Sequence, residues 1–232
     1  MGSWPPPHTV RISGRARRVL LRMHPERGLE VVTPLPLSER RVAQLLDQHR
    51  DWIEQHLPRL ASWPADRFPE AIDLPALGQR WPLEHVTDAV ARPRLRACAE
   101  QRTLALHGPA ESLWPLLGRW LTLQAKGHLL PRLDALAEHH GFRLHGASVR
   151  WSRSRWGSCS RRGTISLSAR LLWLAPEEVE YVMLHELTHL EHFHHAPAFW
   201  QALETRMPGA LRIDAGLRRS RDRLPAWLPL LK

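Results

Sequence analysis

The sequence predicts an α+β protein: a β-rich N-terminal unit with one inserted helix, then a more helical half built round a candidate metal site. Three observations point there. Residues 9–33 hold three short candidate strands, VRIS, RVLLRMH and LEVVTP, in which Val19, Leu21 and Met23 alternate with Leu20 and Arg22. Residues 110–140 carry apolar side chains at helical spacing, among them Leu113, Leu117, Trp120, Leu121, Leu130, Leu133 and Leu136. Residues 181–200, YVMLHELTHLEHFHHAPAFW, place an H-E-x-x-H pattern inside an apolar helical run.

In order along the chain, residues 1–8 are Pro-rich and expected to be disordered. Pro25, Glu26, Arg27 and Gly28 read as the turn between the second and third strands. Ser38 is placed to cap a helix running to Leu57, with Val42, Leu45, Leu46, Trp52 and Ile53 on its apolar side and Pro58 as its stop. Residues 59–80, rich in Pro and Ala, read as a loop or linker. RWPLEHV follows as a strand, then LRACA and TLALH as a hairpin-like pair. Gly108 and Pro109 close this part, so the expected units are 9–109 and 110–232.

In the second half, Pro131 is expected to kink or divide the long helix, and Gly141 suits the position just past its end. Residues 149–151 and 164–167 read as strands, with residues 160–163 as a turn. Pro176, with Glu177 and Glu178, marks the start of the helix carrying H-E-x-x-H: proline at the first helical position, acids in the first turn. That helix is expected to end near Phe193. Another begins at Pro197, and a last, Arg-rich one follows the break at Pro208 and Gly209.

The chemistry is read from spacing. Residues four apart share a helix face, so His185 and His189 can turn their imidazoles onto one zinc ion. Glu186 lies about a quarter-turn round, beside the metal rather than on it, where a base for an activated water belongs. A catalytic zinc site has three protein ligands and one open position. His195 is the choice for the third, because Pro197 breaks the helix and lets the chain return; His192 and His194 are the alternatives. Tyr181, four residues before His185, can face the site as a substrate contact or serve as a core aromatic.

Composition narrows the class. A formal charge of +10 invites a nucleic-acid partner, but only Lys126 and Lys232 of the 33 basic residues are lysine, and the arginines are spread along the chain. Eleven Trp against one Tyr imply several buried indoles, each needing a partner for its N–H. No run approaches the ~18 apolar residues of a membrane span. No signal-peptide core opens the sequence, and Cys98 and Cys159 form no framework. The expectation is a cytoplasmic protein.

At RWGSC, GTISLSARLLWLAPEEVEYVMLHELTHL and HHAPAFW the sequence resembles the YgjP-like metal-dependent hydrolases, zincin-like proteins described as predicted metallopeptidases. The resemblance implies a zincin-like catalytic half with a small sheet and an active-site helix. It implies metal ligands at His185, His189 and His195, with Glu186 as the catalytic residue. Residues 163–167 would be the edge strand that pairs with a peptide. Arg153, Arg155 and Ser158 lie where the family's motif approaches the site, to bind substrate or to pair with Glu177, Glu178 or Glu180. This sequence departs from the pattern at His194, Ala196 and Ser168, where the family has Asn, Ser and Asn. The implied activity is a zinc-dependent peptidase. A nucleoside triphosphate pyrophosphatase and a nucleic-acid-associated, SprT-like protein are the competing readings. Cys159 is expected to be a small buried residue rather than a ligand or nucleophile.

Overall fold

The N-terminal strands pair into a three-stranded sheet. The computed structural model describes residues 4–24, 28–56, 64–87, 92–152, 154–220 and 223–231. The expected turn at residues 25–27 and the expected helix stop at Pro58 lie outside them. β1 (His8–Ile12), β2 (Leu20–His24) and β3 (Gly28–Thr33) form a sheet in the order β1-β3-β2. β1 runs parallel to β3, and β2 antiparallel, with Leu21 opposite Val31. α1 (Glu39–Gln48) and α2 (Arg50–His56) follow. The single helix expected here is therefore two, because His49 leaves helical geometry at φ −111° and ψ 22°. Ser38 Oγ accepts from the Arg41 N–H at 3.4 Å, as its N-cap role requires. Leu29, Val31, Val42, Leu46 and Ile53 make the core, with Trp4, Leu21 and Trp52 packed against it.

A second sheet holds β4 (Ala71–Leu74), β5 (Gln79–Val86), β6 (Arg94–Cys98) and β7 (Thr103–His107) in the order β4-β5-β7-β6. β6 and β7 are the expected hairpin, Ala97 opposite Leu104. β4 falls in the stretch read as a loop; it forms because Ile72 and Leu74 are fully buried while antiparallel pairing with β5 satisfies its backbone. α3 (Ala110–His139) is one continuous helix, so Pro131 does not divide it. Gly141, at φ +73°, ends the helix: Phe142 N–H donates to Ala137 O and Gly141 N–H to Glu138 O, the Schellman pattern. Buried Trp114 donates its indole N–H to Ala65 O at 2.7 Å, and half-buried Trp151 to Thr122 Oγ1 at 2.9 Å.

The third sheet carries the site. β8 (Gly146–Arg150), β9 (Gly157–Cys159) and β10 (Thr164–Ser168) lie in the order β8-β10-β9, followed by α4 (Pro176–Thr188), α5 (Pro197–Arg206) and α6 (Ala210–Ser220). This corrects the expected edge strand. β10 is central, its backbone engaged by β8 on one side and β9 on the other. The edge beside α4 is β9.

The chain is α+β. It divides into two compact units, Met1–Pro64 and Ala65–Lys232, so the division falls within the Pro- and Ala-rich stretch and β4–β7 group with the second unit. No helix of the described residues is long and apolar enough to cross a membrane.

Candidate metal centre

α4 is fixed before it presents any chemistry. Pro176 opens it, and Glu178 reaches back to accept the Ala175 N–H at 2.9 Å. Ser220 of α6 donates to the same carboxylate at 2.5 Å, and Arg223 pairs with it. Burial alone would raise the Glu178 pKa, but these hydrogen bonds and the guanidinium hold it below the usual carboxylate value. Val179, Val182, Met183, Leu184 and Leu187 bury most of the helix surface. The helix ends at Thr188, with His189 as its C-cap, five residues short of the expected end near Phe193. Leu190 and Glu191 donate to carbonyls three residues back, which tightens the last turn and releases the chain. α5 starts at Pro197 as expected; Ala196, its N-cap, makes no side-chain bond.

That early release brings three rings together. One nitrogen each from His185, His189 and His195 lies within 4.8 Å of the others, the sole such donor cluster among the described residues. The Nε2 atoms of His185 and His195 are 3.0 Å apart. The other nitrogens are already engaged. His189 Nδ1 donates to the His192 carbonyl at 3.0 Å. His185 Nδ1 lies 3.2 Å from Tyr181 Oη, which donates its own proton to Asp214 at 2.7 Å. Tyr181 is 2 % exposed and sits on the Nδ1 side of His185, beneath the cluster. Phe199 is fully buried, with its ring centroid 4.6–4.9 Å from all three imidazoles, and Trp200 stacks on His195 at 5.6 Å. His192 contributes a carbonyl to the arrangement, and its ring and that of His194 stand outside the cluster.

The donors suit a cation. Burial, followed by the neighbouring His189 and His195, lowers the His185 pKa to about 4, against an opposing pull from Asp214. His189 is lowered too, chiefly by burial. Both are therefore neutral at pH 7, with lone pairs turned inward, as divalent borderline metals require.

Glu186 is 7 % exposed and lies beside the cluster against β9. A Cβ added to Gly157 would fall 2.6 Å from its Cγ and 2.7 Å from Oε1, so only glycine leaves room for this carboxylate. Burial pushes its pKa up to about 7, although Arg155 and the Cys159 N–H pull the other way. Arg155 and Ser158 share a cavity of about 190 Å³ with Arg150, Ser152, Ser166 and Ser168. Arg153 lies outside the described residues. Glu177, Glu178 and Glu180 pair with Arg212, Arg223 and Arg132, so the ion pairs considered for Arg155 are taken up elsewhere. The half-buried Cys159 thiol is pushed up to about 11 by burial and by Glu186, which leaves it unreactive. Asp214, Phe199 and Gly157 were not singled out from sequence. The last two lay inside quoted motifs; Asp214 carried no local signal, being an acid in an Arg-rich helix far along the chain.

Over residues 17–220 the chain matches a metallopeptidase domain, which makes it a metal-dependent hydrolase and implies a metal. The family is described as YgjP-like, metallopeptidase domain, and the chain belongs to it. Among solved structures it is similar to the metallopeptidase zymogen of Pyrococcus abyssi abylysin: 28% identity, covering 41% of this chain and 96% of that one, with a TM-score of 0.37. No curated protein matches.

Proposed function

We propose that the chain is a zinc metallopeptidase in which His185, His189 and His195 hold one zinc ion and Glu186 moves the proton. When bound, zinc lowers the pKa of a coordinated water towards ~7 and polarises a substrate carbonyl. Glu186 accepts a proton from the attacking water and delivers it to the leaving amine nitrogen. Its proton affinity near neutrality suits both halves of that task, and Gly157 and the Cys159 N–H keep the carboxylate in place.

Tyr181 acts behind the site in this reading, not on substrate. Its oxygen accepts from His185 Nδ1–H while its own proton goes to Asp214, so the imidazole is locked with Nε2 outward. Phe199 forms a common floor for the three rings. A peptide would pair with the open edge of β9, immediately beside Glu186. Arg155 and Ser158 would meet its carbonyls from the small polar cavity. Arg153 remains a candidate on sequence grounds.

The reading rests above all on one juxtaposition: a buried carboxylate, raised in pKa, next to three imidazoles that share one point. The test is to purify the protein with its metal and assay peptide libraries and nucleoside triphosphates in parallel. One zinc per chain and peptide cleavage, lost on chelation and in Glu186→Gln, support the proposal. Pyrophosphate release lost in the same variant, with no peptide cut, would sink it.

A further inference from the structure

We infer that a basic cleft at the far end of β9 is a subsite for an acidic residue of the substrate; the inference deepens the peptidase reading and rests on it. The cleft, about 450 Å³, is lined by Arg143, His145, Arg161, Arg162, Leu190 and Phe193. It contains no carboxylate. Several other arginines of this unit meet acids: Arg80 with Asp73, Arg132 with Glu180, Arg206 with Glu191, Arg223 with Glu178. Among the described residues, Arg143, Arg161 and Arg162 have no such partner. Glu191, next in sequence to Leu190, is drawn away by Arg206 at 2.7 Å. The three arginines are solvent-exposed and line one cleft, so an incoming anion would meet several positive charges at once.

The platform is rigid. Arg161 and Arg162 occupy the turn between β9 and β10, pinned by Gly163 N–H to Ser160 O, Ser160 N–H to Thr164 O, and Thr164 N–H to Ser160 Oγ. Gly163, at φ +71°, packs so closely on its neighbours that an added Cβ would fall 2.7 Å from His145 Nδ1 and 3.5 Å from Leu190 Cδ2. Leu190 follows His189 directly. One wall of the cleft is thus the sequence neighbour of a candidate ligand, and Arg161 and Arg162 follow the edge strand directly. Phe193, 55 % exposed, adds an apolar wall.

Position selects the ligand. β9 runs from Gly157, against Glu186, to Cys159, about 7 Å at ~3.3 Å per residue, and the turn that carries Arg161 follows at once. A peptide extended along β9 would bring into the cleft a side chain three or four residues from the cleaved bond. Arginine forks match a carboxylate in two places, so aspartate or glutamate fits there, its methylenes against Leu190 and Phe193.

The test uses the full-length, zinc-loaded Glu186→Gln protein and fluorescent peptides with one Glu moved along an otherwise neutral sequence, each paired with its Gln counterpart. Cleavage by the active enzyme maps the scissile bond. The inference expects about tenfold tighter binding of the Glu peptide. The preference should peak three or four residues from that bond on one side, shrink with salt, and disappear in Arg161→Gln/Arg162→Gln and weaken in Arg143→Gln. Equal affinities, a preference that survives the double variant, or one that is the same at every position would overturn it. So would single-stranded nucleic acid binding more tightly through the same arginines. If the active enzyme cuts no peptide, the peptidase reading fails, whereas loss or survival of the Glu preference in the double variant still decides the cleft.

Discussion

His185 is held at Nδ1 by two groups in series, Tyr181 and then Asp214. Tyr181→Phe removes one hydroxyl in a fully packed setting, and Asp214→Asn leaves that hydroxyl with a weaker acceptor. Each is expected to weaken zinc binding about 10–100-fold, measured by competition with a chromophoric chelator, with little change in fold. The double variant should cost little more than either alone, because both act through one hydrogen-bond chain. Glu186→Gln should behave oppositely. Zinc affinity should stay near wild type while kcat/KM falls about 10²–10⁴-fold, the usual contribution of a positioned base. Gly157→Ala tests placement: its new methyl must displace the Glu186 carboxylate, lying 2.6 Å from Cγ. About a hundredfold loss of kcat with full zinc content is expected, since small displacements of a reacting group cost that much.

Elements position these residues, and Glu178 joins three of them: the start of α4, the end of α6 through Ser220, and the segment carrying Arg223. Its carboxyl is depressed in the folded chain, so its stabilisation is present above the ordinary carboxylate pKa and is lost as pH falls through the folded value. Chemical denaturation of wild type should therefore show stability falling into acid, and Glu178→Gln should flatten that slope while costing about 2 kcal/mol at neutral pH. At this scale the sequence was partly legible. α3, α5 and the β6–β7 hairpin announce themselves by period, turn residues and caps. β9 does not: Gly157, Ser158 and Cys159 have no strand propensity, and only pairing with β10 makes them a strand. β4 is four residues between Pro69 and Pro75, too short to outweigh its flanks. The early end of α4 was hidden because Leu190 continues the apolar period, while the local hydrogen bond from His189 to the His192 carbonyl forms only where the chain has already left the helix.

Across the whole molecule, the three candidate ligands and the candidate base could be proposed from sequence because H-E-x-x-H is local and Pro197 fixes where the next helix begins. Asp214 was not, since nothing in sequence says which acid of α6 will face Tyr181. The candidate ligands come from α4, its C-cap and the segment before α5, so one bound ion ties these pieces of the second unit together. At a thousandfold excess over its Kd, zinc should stabilise that unit by about 4 kcal/mol, roughly 10 °C in its thermal transition, and chelation should reverse the gain. Calorimetry with and without chelator measures it. The brevity of β9 carries a last consequence. Three residues supply too short a template for another copy of the chain to polymerise against, so the open border can stay bare without inviting fibres. On the proposed peptidase reading, a guest strand would for the same reason cling there only loosely, and the severed halves would depart soon after the cut.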